Sequence, residues 1–310
     1  MNKGPVPMNN IDVAKETIKI TEAGAYEVSG KRVVFKPEEH TGVTVFTPED
    51  GAKLLEKYAA IPEGGKSCTI KVVNSDSFEA ARDMENPYVM NFANAHNPGG
   101  GFKLGANAQE EALCRCSTLY ASISSPKASE MYRYNNTHVG MVESDYMLLS
   151  PNVLVFRNAR LELLAEPFTA GVITVPAPNK RGAALFASAG LVEETMLRRI
   201  RILLLIAADN GYRNLVLGAW GCGAFGNKPQ DVAEYFRKIL IDEEYGRLFD
   251  EVRFAIYGPE NGNNITGSGK CLHDIRIVLL AFVFNSLVIW CVIWKNHNTA
   301  HFYSPKIQNC

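Results

Sequence analysis

Residues 94–111 combine amides, consecutive glycines and carboxylates in one short segment, NAHNPGGGFKLGANAQEE. Side-chain amides and carboxylates suit the hydroxyl groups of a sugar, and glycines let a ligand lie against the bare backbone. We therefore interpret the segment as one wall of a sugar-binding site with acids beside it. Its candidate binding and catalytic residues are Asn94, Gly99, Gly100, Gly101, Gln109, Glu110 and Glu111.

The two adjacent glutamates are predicted to play different roles. In a helix their side chains project about 100° apart, so that one faces the cleft while the other bonds to a neighbour. A simpler interpretation is that both are first-turn acids stabilised by the helix dipole. Three glycines after a proline also suit any sharp turn. The residues of this segment leave both interpretations open.

A second glycine-rich segment, GAWGCGAFGN, occupies residues 218–227. Its glycines free the backbone to turn N–H groups toward phosphate oxygens, and a helix is predicted to start near Pro229. The segment has neither the phosphate-loop spacing of nucleoside-triphosphate enzymes nor that of a Rossmann turn. A tight strand-to-helix turn explains it as well. The candidate residues are Gly221, Gly223, Ala224, Phe225 and Gly226.

The elements around these segments predict a three-layer α/β/α sheet. Helices are predicted over 11–22, 109–123, 191–211 and 229–241. A further helix is predicted to begin after the N-cap residue Thr47, with Pro48 at its first position. A hairpin is predicted at Ser29-Gly30. Strand candidates are SCTIKVV, PYVMNFA, NVLVF, GVITVPA, NLVLGA and EVRFAIY. Polar segments follow three of these strands, so they should meet at the carboxyl edge of the sheet. Residues 124–150 are the longest predicted irregular connection, and such a loop often covers a site.

Composition narrows the function classes. With 310 residues, 46% hydrophobic and 21% charged residues, the chain predicts an ordinary globular domain, and a formal charge of −1 does not favour direct nucleic-acid binding. Seven cysteines lack the spacing of a disulfide framework or a zinc site, and the N-terminus lacks a secretory apolar core. We therefore expect folding in the cytoplasm or nucleus, with His96 and Cys222 as loop residues instead of metal ligand and nucleophile.

The C-terminus differs from the rest of the chain. Residues 277–294, IVLLAFVFNSLVIWCVIW, carry no charge and just reach the length of a membrane-spanning helix, although Asn285 and Ser286 lie at the centre. Three interpretations remain open: a tail anchor that brings the protein to a membrane, a buried or interfacial helix, or a non-native tail.

The two motifs together resemble one known family. The string GGG, seven residues and QEE, set in VMNFANAHNPGGG and QEEALCRCSTLY, resembles bacterial-type poly(ADP-ribose) glycohydrolases, which are built on an ADP-ribose-binding macrodomain. The resemblance extends from about residue 11 to about residue 260 and includes VPAPN and WGCGAFGN. It does not include the tail.

The resemblance implies a macrodomain-like mixed sheet with an N-terminal helical extension over 1–65, a catalytic core over 66–262 and a linker and tail over 263–310. It implies hydrolysis of ribose–ribose bonds in poly(ADP-ribose), from chain ends, by a monomer that needs no metal and no cofactor. Partners would be the polymer or ADP-ribosylated proteins, and the product ADP-ribose. A non-catalytic ADP-ribose reader, or a hydrolase of mono-ADP-ribosyl or O-acetyl-ADP-ribose linkages, remains an alternative.

The resemblance also implies roles for individual residues. The diphosphate would lie between the two glycine segments, Asn94 would meet the distal ribose, and Phe225 would pack on the face of that ribose. Glu110 would hold ribose hydroxyls and Glu111 would be the catalytic acid. Asp76 or Ser77, just after the SCTIKVV strand, is the first candidate for the adenine contact.

Overall fold

The computed structural model describes residues 9–61, 68–138 and 140–257. Its α-helices are α1 Asn10–Ala23, α2 Pro37–His40, α3 Pro48–Lys57, α4 Ser77–Ala81, α5 Gln109–Cys116, α6 Leu119–Ile123, α7 Ser129–Thr137, α8 Ala189–Asp209 and α9 Pro229–Arg237. Its strands are β1 Ala25–Val28, β2 Lys31–Val34, β3 Thr44–Phe46, β4 Thr69–Val73, β5 Pro87–Ala93, β6 Met147–Arg157, β7 Leu163–Pro176, β8 Asn214–Gly218 and β9 Glu251–Ala255. The predicted tail segment 277–294 lies outside these residues. Within them, no helix has the length and apolar character needed to cross a membrane.

One sheet of seven strands forms the centre of the molecule, in the order β3-β6-β7-β5-β8-β9-β4. β5 pairs in parallel with β7 and β8, and β9 in parallel with β8 and β4, whereas β6 is antiparallel to both neighbours. The predicted mixed sheet is confirmed. Because six of the seven strands share one direction, their carboxyl ends lie at one edge, where ligands bind in open α/β sheets.

Helices cover both faces of this sheet. In β5, Tyr88 and Met90 pack into a cluster with α3, α8 and α9, while Val89 packs into a second cluster with α1 and α4 to α7. Alternate residues of a strand point to opposite faces, so an uninterrupted apolar strand requires a helical layer on each side. The three-layer prediction is therefore confirmed.

The N-terminal residues form a helix, a hairpin and one strand of the central sheet. The side chain of Asn9 caps α1, and the hairpin turns at Ser29 and Gly30, both with positive φ, as predicted. The side chains of Thr47 and Asp50 form a capping box at the start of α3, which confirms that helix start. Strand β3 was not predicted, and it pairs with β6 at the edge of the sheet. The boundaries at residues 65 and 262 stay predictions.

Two segments differ from the prediction. The helix predicted over 109–123 breaks at Ser117, where the backbone is extended and bridges to Val155; the Ser117 hydroxyl donates to the Leu113 carbonyl and accepts the Leu119 N–H. The predicted loop over 124–150 contains α7 and the first residues of β6. Helix α7 buries Met131, Tyr132 and Asn135 in a mostly polar sequence, so its apolar face is short.

Candidate active site

Three connections meet at the carboxyl edge of the sheet, as predicted. They follow β5, β7 and β8 and cover residues 94–108, 177–188 and 219–228. The Asn227 side chain donates to the Pro178 carbonyl at 2.9 Å, and the Lys180 N–H donates to the Phe225 carbonyl at 2.9 Å. These bonds join the second glycine segment to the loop after β7.

Gln109 fixes the start of α5 to the sheet. Its Oε1 accepts the Phe92 N–H at 2.9 Å, and its Nε2 donates to the Met90 carbonyl at 2.8 Å and to the Ser77 hydroxyl at 3.1 Å. β5 pairs with β8 only as far as Val89, so the Gln109 amide continues the ladder where β8 has diverged. With its two N–H donors engaged in this way, Gln109 positions α5, and its contact with substrate stays a prediction.

Replacing Gln109 with glutamate should destabilise the fold. A carboxylate still accepts the Phe92 N–H, but it cannot donate to the Met90 carbonyl, which stays buried without a partner. We expect the free energy of unfolding to fall by about 1–3 kcal/mol in urea titrations. Gln230→Glu, a matched change at an exposed first-turn position of α9, should change it little. Equal losses in both variants would contradict the role of Gln109 in fixing α5 to the sheet.

Glu110 is a buried carboxyl, only 3% exposed. Its Oε2 accepts the Asn94 N–H at 2.8 Å and its Oε1 accepts the Asn91 amide at 3.3 Å. Burial is the largest effect and raises the pKa of Glu110 to about 8. The Asn94, Asn91 and Gly99 donors lower this pKa, whereas the neighbouring Glu111 carboxylate raises it. Burial thus outweighs the donors, and Glu110 holds a proton at neutral pH.

The raised pKa of Glu110 predicts a pH dependence of stability. Between its ordinary pKa of 4.5 and the folded pKa of about 8, the folded protein binds a proton that the unfolded chain has released. Stability from this group is therefore complete below 4.5 and is lost as the pH rises through 8. Urea unfolding at several pH values should show a smaller decline for Glu110→Gln than for the wild type. Parallel declines would contradict the assignment.

Glu111 is also buried, at 7% exposure, and two backbone donors hold it. Its Oε1 accepts the Gly101 N–H at 2.9 Å and its Oε2 accepts the Ala108 N–H at 3.0 Å. A Cβ at Gly100 would stand 2.5 Å from Glu111 Oε1 and 3.3 Å from Glu110 Oε2. The two carboxylates therefore flank a single glycine at the start of α5.

The first glycine run encloses these carboxylates. The Gly99 N–H contacts Glu110, the Gly100 N–H donates to the Asn97 carbonyl, and the Gly101 N–H donates to Glu111. A Cβ at Gly99 would lie 2.9 Å from the Tyr120 ring. All three N–H groups have protein acceptors, and two of them position the acids. The diphosphate contact predicted for this side stays a prediction.

The second glycine segment keeps four of its N–H groups available. Gly221 and Gly226 have φ values of 73° and 72°, and no atom would lie within 4 Å of a Cβ at Gly223. Within the described part of the chain, the N–H groups of Gly221, Gly223, Ala224 and Phe225 donate to no acceptor. Successive free N–H groups in such a turn form an anion-binding concavity. The Phe225 side chain is half-buried against the larger core cluster.

Helix α7 holds the loop that carries Asn94. The Asn94 Oδ1 accepts the N–H groups of His96 and Asn97, so its Nδ2 remains for a ligand. Asn135 donates to the Ala95 carbonyl at 3.2 Å, and Asn136 contacts both the carbonyl and the ring of His96. His96 thus takes the loop-structuring position predicted for it. Asn135 and Asn136 were missed because no local pattern distinguishes them.

Two further polar residues lie next to the glutamates. Asn91, fully buried in β5, donates to Glu110 and to Thr174, and its Oδ1 has no partner within the described residues. Sequence reasoning missed its contact with Glu110, although an asparagine inside an apolar strand was a usable signal. Asp76 caps α4 by accepting the Phe78 and Glu79 N–H groups through Oδ1. Its adenine contact stays a prediction.

Comparisons with known proteins agree on one family. Residues 14–158 match the family model for the catalytic domain of microbial-type PARG. Poly(ADP-ribose) glycohydrolase from Thermomonospora curvata is 35% identical, with a TM-score of 0.78 over 86% of this chain and 98% of that chain. The Deinococcus radiodurans enzyme, solved in complex with ADP-ribose, is 36% identical, with a TM-score of 0.70 over 79% and 96%. No curated protein matches the chain. This chain belongs to the microbial-type poly(ADP-ribose) glycohydrolase family.

Proposed function

We propose that this protein hydrolyses the ribose–ribose O-glycosidic bonds of poly(ADP-ribose) and releases ADP-ribose from chain ends. The observation that carries the proposal is the pair of buried carboxyls, Glu110 and Glu111, fixed on both sides of Gly100. A glycosidase needs a proton donor placed at the departing oxygen, and two carboxyls in different environments can take different roles. A pure ADP-ribose reader has no need of the second acid.

The loops supply a site of matching chemistry. The free N–H groups of Gly221, Gly223, Ala224 and Phe225 would bind the diphosphate, and the Asn94 Nδ2 would donate to the distal ribose. Glu110 would hold ribose hydroxyls, and Phe225 would pack on that sugar. Asp76 would meet the adenine at the start of α4. Of the two glycine segments assigned to the diphosphate, the second supports this arrangement more strongly, because it has the free N–H groups.

The reaction follows from these positions. Glu111 protonates the departing ribose oxygen as the bond to the anomeric carbon breaks. Positive charge develops at that carbon, and the diphosphate stabilises the oxocarbenium-like state electrostatically. Water then adds to the carbon, and the Glu111 carboxylate accepts its proton. The acid is thereby restored for the next cycle.

One assay tests the substrate class. The full chain is incubated with poly(ADP-ribose) and, separately, with a mono-ADP-ribosylated protein, and the released species are identified by mass. We expect ADP-ribose from the polymer, accumulating from the first minutes without release of oligomeric fragments. Release from the mono-modified protein alone would favour the alternative hydrolase, and binding without release would favour the reader. A monomeric state, action in the cytoplasm or nucleus and the absence of nucleic-acid contact stay predictions.

A further inference from the structure

The turn after β7 presents an aromatic side chain to solvent. Residues Ala183–Phe186 form a short 3-10 helix in which Phe186 is 85% exposed and Leu185 is 59% exposed. Asn179 organises this turn: its carbonyl accepts the Gly182 and Ala184 N–H groups, and its side chain accepts the Arg181 N–H. Ala184 is buried beneath. The exposed ring therefore stands on an ordered turn.

Basic residues belong to the same group of loops as this ring and the second glycine segment. The Arg181 side chain crosses Gly226, where a Cβ would stand 3.0 Å from its Nε. Lys180 bonds to Phe225 through its backbone, and Lys228 precedes α9 in the same group of loops. Across residues 9–61, 68–138 and 140–257, none of these three cations forms an ion pair. Their positive charge is available to a ligand.

This surface adjoins the loop proposed to bind diphosphate and distal ribose. In the polymer, the distal ribose carries the next unit, so that unit leaves the cleft on the side of Phe225. That unit offers a flat adenine and a diphosphate. Exposed aromatic rings flanked by cations bind bases by stacking and phosphates by charge.

We propose that Phe186 and Arg181 form a subsite for the second ADP-ribose unit, with its adenine stacked on Phe186 and its diphosphate near Arg181. The inference depends on the proposed function and deepens it. Contact with a second unit would make the enzyme bind polymer more tightly than a single ADP-ribose unit. Lys180 and Lys228 add to the local positive charge. A surface for a modified protein is the competing use, and the test separates the two.

The decisive experiment compares Phe186→Ala with the wild-type full chain. We expect the KM for poly(ADP-ribose) to rise about tenfold, equal to about 1.4 kcal/mol. Affinity for free ADP-ribose, measured by calorimetry, should stay within about twofold, because one unit does not reach the subsite. Phe186→Trp should restore the wild-type KM. Val34→Ala, which shortens an exposed apolar side chain on the separate hairpin, is the matched control.

Three results would overturn the subsite. The first is an unchanged polymer KM in Phe186→Ala. The second is an equal loss of ADP-ribose affinity, which would place Phe186 in the first cleft. The third is a loss of turnover confined to mono-modified protein, which would make the surface a protein contact. If the wild type bound no ADP-ribose and cut no polymer, the proposed function itself would fail.

Arg181→Gln supplies an independent measurement. Removing one cation from a phosphate contact should reduce the dependence of polymer KM on salt concentration, by about one unit of the logarithmic slope. If polymer KM depended on salt in this variant as it does in the wild type, Arg181 would not belong to the subsite. The role of Phe186 would then be decided by the Phe186→Ala result.

Discussion

Replacing Glu111 with glutamine is expected to lower the turnover of poly(ADP-ribose) by about a thousandfold. The variant keeps the size of the side chain and an oxygen for one of the Gly101 and Ala108 N–H groups, but it has no proton to give to the departing ribose oxygen. Affinity for ADP-ribose should change by less than about tenfold, or about 1.4 kcal/mol. Single-turnover release of ADP-ribose and calorimetric titration measure the two quantities separately.

Glu79→Gln is the matched control for this experiment. Glu79 is also a first-turn acid, in the neighbouring helix α4, but its side chain is 48% exposed. The Glu79→Gln variant should therefore retain wild-type turnover. Thermal unfolding of both variants shows whether activity is lost with the fold intact. Wild-type turnover in Glu111→Gln would remove this residue from the chemistry.

Replacing Gly100 with alanine is expected to abolish most of the activity although both glutamates are kept. The added Cβ would stand 2.5 Å from Glu111 Oε1, so the acid must move away from the position held by Gly101 and Ala108. A displacement of about 1 Å in a catalytic group costs about a hundredfold in rate. We expect a loss of that size in polymer turnover.

The chain offers a control that isolates the backbone effect. Gly30, in the β1–β2 turn, has φ of 75°, against 53° at Gly100, and a Cβ there would meet nothing within 4 Å. Gly30→Ala therefore carries the cost of a left-handed alanine, about 1 kcal/mol, without a clash. It should be destabilised in urea and retain full turnover. Similar losses of activity in both variants would show that the effect of Gly100→Ala comes from stability.

The sequence predicted which segments lie at the carboxyl edge of the sheet because the signals were local. Strand candidates followed by polar segments identified the carboxyl edge, and the spacing of the glycines and acids identified one wall. The hydrogen bonds within this segment could not be predicted from the sequence. Whether the Gly101 N–H faces a ligand or the Glu111 carboxylate depends on how ten residues of chain fold back, and no propensity encodes that. Helix α7 was missed for a similar reason, since its contacts with the Asn94 loop are tertiary.

The Gln109 side chain sets the position of the acids independently of the length of the connection before them. Because a side-chain amide occupies a place in the hydrogen-bond ladder of β5, the start of α5 is set in register with the sheet as a strand would be. In the connection before α5, Arg115 donates to the Ala106 carbonyl and to the Asn107 side chain, whereas the exposed Lys103 and Leu104 have no hydrogen bond to the sheet within the described residues. Insertions or deletions at Lys103 and Leu104 would therefore be absorbed as changes of loop shape at the rim of the cleft, while the acids stay in place.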